Sequence, residues 1–571
     1  MPGKIRRVAV IGAGPSGAIA TDALVKEQAF DTVRVFDRRP IPGGTWIYTP
    51  HLPASIPSLK TLLDGKADAL VPIPAQLPAQ TPKSEAINSH QVRFSDTAQH
   101  EHLHTNITPE IMSFTTEPFP ETVTDRIREK YGDDAPFRGR EQIREWVENI
   151  FIRNGHEKLL ELSTTVELAE KKGDEWVLTL RKELPGKDQW WQEKFDALIV
   201  ATGHYNIPWL PKIEGITEYD QRFPGRIVHS KHFRDSDKYK GKKVIVVGGS
   251  VSSHEILHEV LPVAQHPVYA SLRGEPLPHF GWAPFTHPHI SVQKQIIKFD
   301  SDNGAITFED GTVVKDVDYV VFGTGFTFSF PFLPKVQERV QKVDRRLPGV
   351  YFHTWDIEDP TLAFLGMCGG GFTFRLFEWQ AVTVSRLLAG RGNHLPSKEE
   401  QKQWEKDRVA EFGGGKDYYI IAPFYKEVFE YFRSVAGDPA PGTTGRVLPP
   451  FDDKLLDIWA AMGSAKTNFW EDARKKAEAE LNEQPVRSKL GGLPPASYSS
   501  QPSQLSNIPY FIGRLIAPTV AANFCAAFFQ NPSGCSLLLC ADTLVTRGAR
   551  LQSRHKPAPP GSFSSSQVSR Y

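Results

Sequence analysis

The sequence predicts an α/β fold built around two Rossmann-like dinucleotide-binding units, and three observations support that prediction. An apolar run at residues 8–11 leads into a G-x-G-x-x-G turn at residues 12–17. A second strand, glycine turn and helix pattern occupies residues 243–260. Two further apolar runs, at residues 196–203 and 318–325, both end in x-Thr-Gly. Buried strands that run directly into glycine turns and helices are typical of open parallel sheets with a ligand crevice at the strand ends.

The first unit carries a full dinucleotide fingerprint. Gly12 permits the tight turn, Gly14 lets a pyrophosphate approach the backbone, and Gly17 lets the helix pack closely on the strand. The helix that follows points unpaired N–H groups and a positive dipole end at the phosphates. The next strand ends at Asp37, whose carboxylate can accept hydrogen bonds from a ribose. The predicted contacts are therefore Asp37 and the loop residues Gly12, Ala13, Gly14, Pro15, Ser16 and Gly17.

A second loop follows the ribose acid closely. Residues 38–46 contain two prolines and a Gly-Gly pair, which Thr45 and Trp46 follow directly. Bare backbone and a flat ring can lie against a cofactor, so Thr45 and Trp46 are predicted cofactor contacts. The alternative is a surface loop with a packed tryptophan.

The second unit differs from the first in its loop and in its strand tip. Ser250 and Ser253 replace two of the three glycines, which predicts binding that is weakened but not excluded. Its second strand ends at Arg273 and carries no acid. Arginine pairs with a 2′-phosphate through charge-assisted bonds, so this site should prefer NADP to NAD. A solvated surface cation is the alternative reading of Arg273.

The rest of the chain gives coarser predictions. Residues 52–100 are rich in proline and resemble an inserted, partly mobile excursion. Strands over residues 160–195 predict an antiparallel layer on the sheet. A helix from about Phe374, after a glycine-rich turn, can aim its N-terminus at a flavin. Residues 481–571 have a low-complexity composition that predicts disorder.

Composition narrows the function classes. A chain of 571 residues predicts roughly two or three domains. The counts of basic and acidic residues are equal, at 67 each, so no excess charge indicates nucleic acid as a partner. None of the four cysteines forms C-x-x-C, so no dithiol centre or zinc site is predicted, and so few cysteines suit the cytoplasm. The apolar run at 515–529 is too short to span a bilayer, and no signal peptide is expected before the first strand.

One motif resembles that of a known family. Residues 223–233 read F-x-G-x-x-x-H-x-x-x-F, which resembles the identifying motif of flavin-containing monooxygenases and lies between the two nucleotide loops, as in that family. The Gly-Gly-Thr-Trp loop at 43–46, the segment Leu-His-Thr-Asn at 103–106 and the two x-Thr-Gly turns are also similar to the family's. The resemblance covers roughly residues 5 to 480.

This resemblance implies FAD on the first site, NADPH on the second and a three-layer ββα FAD domain. In the family NADPH reduces the flavin, O2 adds to form a C4a-hydroperoxyflavin, and a nitrogen or sulfur nucleophile of a small molecule takes the distal oxygen. The implied domains are 1–210 for the first part of the FAD domain, 211–325 for NADPH, and 326–480 for the second FAD part.

The resemblance also implies individual roles. Asn106 matches the family's asparagine beside the flavin, with Thr105 next to it, and Ser252, Ser253 and Arg273 would hold NADP. For His229 a structural brace between the two nucleotide domains is favoured over a catalytic base. Baeyer–Villiger monooxygenases usually carry tryptophan where this chain has Phe233, which favours a heteroatom over a ketone as the substrate. A Baeyer–Villiger enzyme, a disulfide reductase and a non-catalytic flavin-binding protein stay open as alternatives.

Overall fold

The computed structural model describes residues 4–53, 56–83, 97–277 and 281–483. The predicted disorder of the tail from residue 484 onward, the apolar run at 515–529 and residues 84–96 of the insertion lie outside the described residues. Among the residues that are described, no helix is long and apolar enough to cross a membrane.

The strands are β1 (Arg7–Ile11), β2 (Thr32–Phe36), β3 (Ala79–Pro82), β4 (Leu160–Glu161), β5 (Thr164–Lys172), β6 (Glu175–Leu184), β7 (Lys187–Phe195), β8 (Ala197–Val200), β9 (Ile207–Pro208), β10 (Ile227–His229), β11 (Val244–Val247), β12 (Val268–Ser271), β13 (Ile290–Gln293), β14 (Ile296–Phe299), β15 (Ile306–Phe308), β16 (Val313–Val314), β17 (Tyr319–Phe322), β18 (Phe326–Thr327), β19 (Val350–Tyr351), β20 (Trp355–Asp356) and β21 (Leu362–Phe364). The α-helices are α1 (Pro15–Lys26), α2 (Leu59–Leu63), α3 (Pro109–Met112), α4 (Asp125–Tyr131), α5 (Arg140–Arg153), α6 (Ile216–Arg222), α7 (Val251–Val260), α8 (Pro334–Gln341), α9 (Thr373–Leu388), α10 (Lys398–Phe412), α11 (Tyr425–Ala436) and α12 (Lys454–Glu483).

The larger sheet contains seven strands in the order β19-β20-β21-β8-β1-β2-β4. Strands β21, β8, β1, β2 and β4 are parallel, and their buried apolar sequences suit a sheet that is covered on both faces. Ala9 and Ile11 of β1 pack in one cluster with Leu178 and Leu180 of the antiparallel sheet β3-β7-β6-β5. Helices α1 and α9 pack against each other on the opposite face. The predicted three-layer ββα arrangement is confirmed.

The second sheet contains five parallel strands in the order β10-β17-β11-β12-β13, all from residues 227–322. The segments that follow the two x-Thr-Gly turns pair with each other, β9 with β18, as an antiparallel two-stranded ribbon. The seven-stranded sheet takes its strands from residues 7–200 and 350–364, and the five-stranded sheet takes its strands from residues 227–322. The domain boundaries stay a prediction.

The insertion is anchored in two places. Leu59 of α2 packs in the apolar cluster of the five-stranded sheet, together with Ile245 and Val320. Strand β3 pairs with β7 at the edge of the antiparallel sheet, and the indole N–H of Trp190 donates to the hydroxyl of Thr81 at 2.9 Å. Within its described part, the insertion therefore contacts the five-stranded parallel sheet and the four-stranded antiparallel sheet.

Candidate active site

The first glycine loop has the backbone that its sequence predicts. Gly12 lies at φ +108°, a region that favours glycine. A Cβ on Gly17 would lie 1.8 Å from the carbonyl oxygen of Gly12, so the helix can approach the strand only because Gly17 has no side chain. The backbone roles predicted for Gly12 and Gly17 are confirmed.

The structure gives a second reason for glycine at position 14, which is the close approach of Gly44. A Cβ on Gly44 would lie 2.7 Å from the Cα of Gly14, so the Gly43-Gly44 loop crosses directly over the nucleotide loop. The N–H of Gly43 donates to the carbonyl of Ala13 at 3.0 Å. Both loops are therefore built as one cradle with bare backbone on its surface, which suits a pyrophosphate and a flat ring.

Asp37 connects the tip of β2 to this cradle. Its Oδ2 accepts the N–H of Ala13 at 2.7 Å, and its Oδ1 accepts the N–H of Arg39 at 2.8 Å. A carboxylate has about four acceptor positions. The buried Asp37 can therefore support the loop and still accept hydroxyl groups of a ribose.

The start of helix α9 meets the same cradle. A Cβ on Gly366, in the turn before α9, would lie 3.2 Å from the hydroxyl of Ser16, one residue after Pro15 at the start of α1. Trp46 ends a short 3-10 turn and packs edge-on against Phe374 of α9, with ring centroids 6.3 Å apart. Its indole Nε1 is buried and has no hydrogen-bond partner among the described residues. This unpaired donor, with the half-buried Thr45 beside it, fits a polar acceptor on a bound flavin nucleotide.

The segment that carries Thr105 and Asn106 is fixed at both ends. Thr105 pairs with Arg138, because its N–H donates to the Arg138 carbonyl at 2.8 Å and its hydroxyl accepts the Arg138 N–H at 3.0 Å. Downstream, the N–H of Thr108 points at the sulfur of Met462 at 3.2 Å. Helix α3 begins at Pro109, with Thr108 at the N-cap position.

Asn106 itself is uncommitted. Its side chain is half-buried and forms no hydrogen bond with any described residue. Helix α3 just after it packs on α9, where Arg375 donates to the carbonyl of Glu110 at 2.6 Å. Asn106 therefore lies in a segment that is tied to the start of α9, and its carboxamide is available to a ligand. Thr105, in contrast, has a structural task.

The second loop shows how serine replaces glycine at the helix start. Ser253 is fully buried, and its hydroxyl lies 3.3 Å from the carbonyl oxygens of both Val247 and Gly323. A Cβ on Gly323 would lie 2.3 Å from that hydroxyl. The side chain of Ser253 thus fills the space that Gly323 leaves empty, and it turns away from the mouth of the loop. Ser252 is half-buried at the second position of α7 and is free to contact a phosphate.

Arg273 lies exposed just beyond the tip of β12. Burial lowers the pKa of Arg345 and of Lys416; the carboxylate of Asp417 opposes this shift in both, and the charge of Arg273 adds to it, so three cations and an acid influence one another here. Arg345 also stacks over the ring of Trp209 at 4.4 Å. Such a group of cations beside a nucleotide loop fits a phosphate that is not part of the pyrophosphate.

Both ring nitrogens of His229 form hydrogen bonds with the backbone. Its Nδ1 accepts the N–H of Lys231 at 3.1 Å, and its Nε2–H donates to the carbonyl of Gly325 at 2.9 Å. Burial lowers the pKa of His229 to about 3, so the ring is neutral. With both nitrogens occupied, His229 braces β10 against the second x-Thr-Gly turn. Both partners lie within residues 211–325, so these hydrogen bonds are made inside one unit, and the predicted brace between the two nucleotide domains stays a prediction.

The predicted residues thus form two groups. The loop 12–17, Asp37, Thr45 and Trp46 line one cradle; Ser252 and Arg273 border the second loop, and Ser253 lies beneath it. Sequence reasoning missed Arg345 and Lys416, because nothing in the local pattern connects residues 345 and 416 to a loop at 248–253.

Comparison with known proteins agrees with this geometry. A family model described as "Flavin-binding monooxygenase-like" matches residues 95–276 and 285–425, and an "NAD(P)-binding Rossmann-like domain" matches residues 10–59. The chain is similar to a flavin-containing monooxygenase of Amanita muscaria, with 29% identity over 78% of this chain and 90% of the relative. It is also similar to a trimethylamine monooxygenase of Roseovarius sp., with 28% identity over 72% and 81% of the two chains. The solved S-allyl-L-cysteine S-oxygenase of Allium sativum shares the fold, with TM-score 0.62 and 22% identity over 84% of this chain and 98% of its own.

Proposed function

The chain belongs to the flavin-binding monooxygenase-like family, and we propose that it transfers one oxygen atom of O2 to a nitrogen or sulfur nucleophile of a small molecule. The protein is a flavin-dependent monooxygenase whose cofactors are FAD and NADPH. The bound flavin supplies the redox chemistry, with electrons from NADPH and oxygen from O2. The residues of this chain bind and orient the two nucleotides and keep water away from the reacting atoms.

We assign FAD to the first cradle and NADPH to the second loop. The strand tips support this assignment, since the acid Asp37 disfavours a 2′-phosphate and the cations around Arg273 favour one. The sheet composition supports FAD binding by residues 1–210 and 326–480 and NADPH binding by residues 211–325. Gly12 to Gly17, Asp37, Thr45 and Trp46 would hold FAD, while Ser252 and Arg273 would hold NADPH directly and Ser253 would support the loop from below.

The observation that carries the oxygenation proposal is the uncommitted carboxamide of Asn106. It is half-buried, it lies just before helix α3, which packs on α9, and its neighbour Thr105 forms the structural hydrogen bonds. A carboxamide presents one acceptor and two donors. In this place it would orient the oxygenating flavin by hydrogen bonding.

A heteroatom substrate is supported over the alternatives. The trimethylamine monooxygenase to which the chain is similar acts, by its name, on an amine. A disulfide reductase would need a dithiol, whereas Cys368, the sole cysteine of the described residues, is buried and burial raises the pKa of its thiol to about 12. Phe233 stands where Baeyer–Villiger enzymes usually carry tryptophan, which favours a heteroatom substrate over a ketone. Its side chain is buried and stacks on Tyr239 with ring centroids 5.5 Å apart, so its position reflects packing of the domain. The cytoplasmic location predicted from the cysteine content stays a prediction.

Turnover of matched probes tests the proposal. The purified holoprotein is mixed with NADPH and air-saturated buffer, and NADPH consumption and product are measured with N,N-dimethylaniline, methyl phenyl sulfide and cyclohexanone. We expect an N-oxide or a sulfoxide and little lactone. Lactone as the main product would refute the substrate class, and a flavin that NADPH never bleaches would refute the enzyme assignment.

A further inference from the structure

A histidine with both ring nitrogens occupied directly precedes the Thr105–Asn106 peptide. His104 is 4% exposed, and its Nδ1 lies 2.7 Å from the carbonyl oxygen of Thr105. Its Nε2 lies 3.2 Å from the hydroxyl of Tyr131. The ring stacks on Phe137 with centroids 5.3 Å apart and meets Tyr131 edge-on at 5.2 Å. His104 is therefore held in one orientation by four contacts.

These partners define the tautomer of His104. A carbonyl oxygen can only accept, so Nδ1 carries the proton and donates it to Thr105. Nε2 then has a lone pair and accepts the hydroxyl proton of Tyr131. Burial lowers the pKa of His104 to about 3, which keeps the ring neutral and this pattern intact at neutral pH.

We propose that His104 is a positioning residue that fixes the direction of the Asn106 carboxamide. The carbonyl of Thr105 and the N–H and Cα of Asn106 belong to one planar peptide unit, so a hydrogen bond to that carbonyl fixes the plane that contains this Cα and thereby the direction in which the Asn106 side chain leaves the backbone. The preceding peptide is held by Arg138, and Thr108 is held by Met462. The inference rests on the proposed function of Asn106, and it adds the residue through which that function is set.

The hydrogen bond between His104 and Tyr131 also connects the Asn106 segment to the second nucleotide unit. Lys130 lies 5.4 Å above the ring of Tyr131, and its ammonium is 2.8 Å from Nδ1 of His258 on helix α7. Helix α7 begins at the second glycine loop. A continuous series of contacts thus runs from the helix expected to hold NADPH, through Lys130 and Tyr131, to His104 and the Asn106 peptide.

Three variants test this role in the full-length holoenzyme. His104→Phe keeps a ring but removes both nitrogens, and Tyr131→Phe removes only the hydroxyl that Nε2 accepts. His104→Asn places an amide N–H near the position of Nδ1 and should restore the bond to Thr105. We expect His104→Phe to lower product formed per NADPH consumed by about fivefold to tenfold, as for the loss of one hydrogen bond. Flavin content and the rate of flavin reduction by NADPH should stay within about twofold, since neither nucleotide loop is touched.

Tyr239→Phe is the matched control for Tyr131→Phe, because Tyr239 is fully buried and its hydroxyl has no partner among the described residues. We expect Tyr239→Phe to leave coupling unchanged, and His104→Asn to recover most of the coupling that His104→Phe loses. In an Asn106→Ala background, His104→Phe should cause no further loss, since both changes would act through one carboxamide.

Two results separate the inference from its premise. If Asn106→Ala leaves coupling unchanged, the proposed function of Asn106 is wrong and the inference falls with it. If Asn106→Ala uncouples the enzyme while His104→Phe and Tyr131→Phe do not, only the positioning role is wrong. Additive losses in the double variant would also overturn it, because His104 would then act by a separate route.

Discussion

At the scale of single residues, the proposed NADPH site has charged groups from three distant parts of the chain near its second loop. Arg273 follows a strand tip, so its place beside the second loop is predictable from the sequence. Arg345 and Lys416 reach the same region only through the fold, and their lowered pKa values report the neighbouring charge of Arg273. The carboxylate of Asp417 offsets part of the repulsion among these cations, and a bound phosphate would offset more. Their arrangement supports the proposed 2′-phosphate contact.

Replacing Arg273 tests that assignment. Arg273→Ala should raise KM for NADPH by about tenfold or more, since a charge-assisted hydrogen bond contributes about 1.5–3 kcal/mol. KM for NADH should change little, because NADH has no 2′-phosphate. Steady-state kinetics with both nucleotides provide the measurement.

Arg222→Ala is the control for Arg273→Ala, because Arg222 is an exposed arginine at the end of α6 whose guanidinium lies over the ring of Phe223 at 5.5 Å. It should change neither KM. Equal increases for NADPH and NADH in Arg273→Ala would remove the 2′-phosphate role and leave Arg273 as a general surface cation.

At the scale of elements, the two βαβ units differ in which side of the contact between helix and strand end carries the glycine. In the first unit Gly17 on the helix faces Ala201 at the strand end, and a Cβ on Gly17 would lie 3.6 Å from the Cβ of Ala201. In the second unit Ser253 on the helix faces Gly323 at the strand end. The sequence predicted weaker nucleotide binding at the second loop, because Ser253 lies within the glycine motif whereas Gly323 lies outside it. The compensating glycine is 70 residues further along the chain.

This pairing of Ser253 with Gly323 can be tested by adding a methyl group at residue 323 and then removing the side chain of residue 253. Gly323→Ala should weaken NADP binding and lower the melting temperature, because its Cβ would lie 2.3 Å from the Ser253 hydroxyl and 2.8 Å from the Ser253 nitrogen. Overpacking of this kind costs about 1–3 kcal/mol. The double variant Gly323→Ala/Ser253→Gly reproduces the pairing of the first unit and should recover part of both losses. Titration calorimetry with NADP and thermal melting measure the two quantities.

Gly414→Ala serves as the control for the added methyl group, because a Cβ there would meet no atom within 4 Å. If Ser253→Gly gives no recovery in the Gly323→Ala background, then the hydroxyl is not the group that the new methyl displaces, and the compensation is wrong.

The elements also show where sequence reasoning ends. The two βαβ units, the antiparallel layer and helix α9 follow from period, length and glycine turns, which are local properties. The anchoring of the insertion does not, since the pairing of β3 with β7 joins residues more than 100 positions apart and β3 itself has an ordinary loop composition. In the site, Asn106 was identified by resemblance. That its side chain forms no hydrogen bond with a described residue, and that His104 has the partners given above, depend on contacts that only the folded chain defines.

At the scale of the whole molecule, a set of buried histidines makes stability sensitive to mild acid. Burial is the main cause that lowers their pKa values, to about 4 for His100 and His204 and to about 3 for His104, His229 and His232. An unfolded histidine has a pKa of about 6.5. Between pH 6.5 and about 4 the unfolded chain therefore binds more protons than the native protein, so the free energy of unfolding falls as the pH falls. Carboxylates with lowered pKa values, such as Glu259 at about 2, lose their contribution only at lower pH.

His232 allows this loss to be measured one residue at a time. It is buried, its Nε2 has no partner among the described residues, and the nearby cations Lys231, Arg234 and Lys238 add to the effect of burial on its pKa. His232→Gln removes the titrating group, so its free energy of unfolding should fall by ~1 kcal/mol less between pH 7 and pH 5.5 than that of the parent protein. Urea unfolding at the two pH values measures this difference. The same slope in His232→Gln as in the parent would mean that His232 already binds its proton in the native protein.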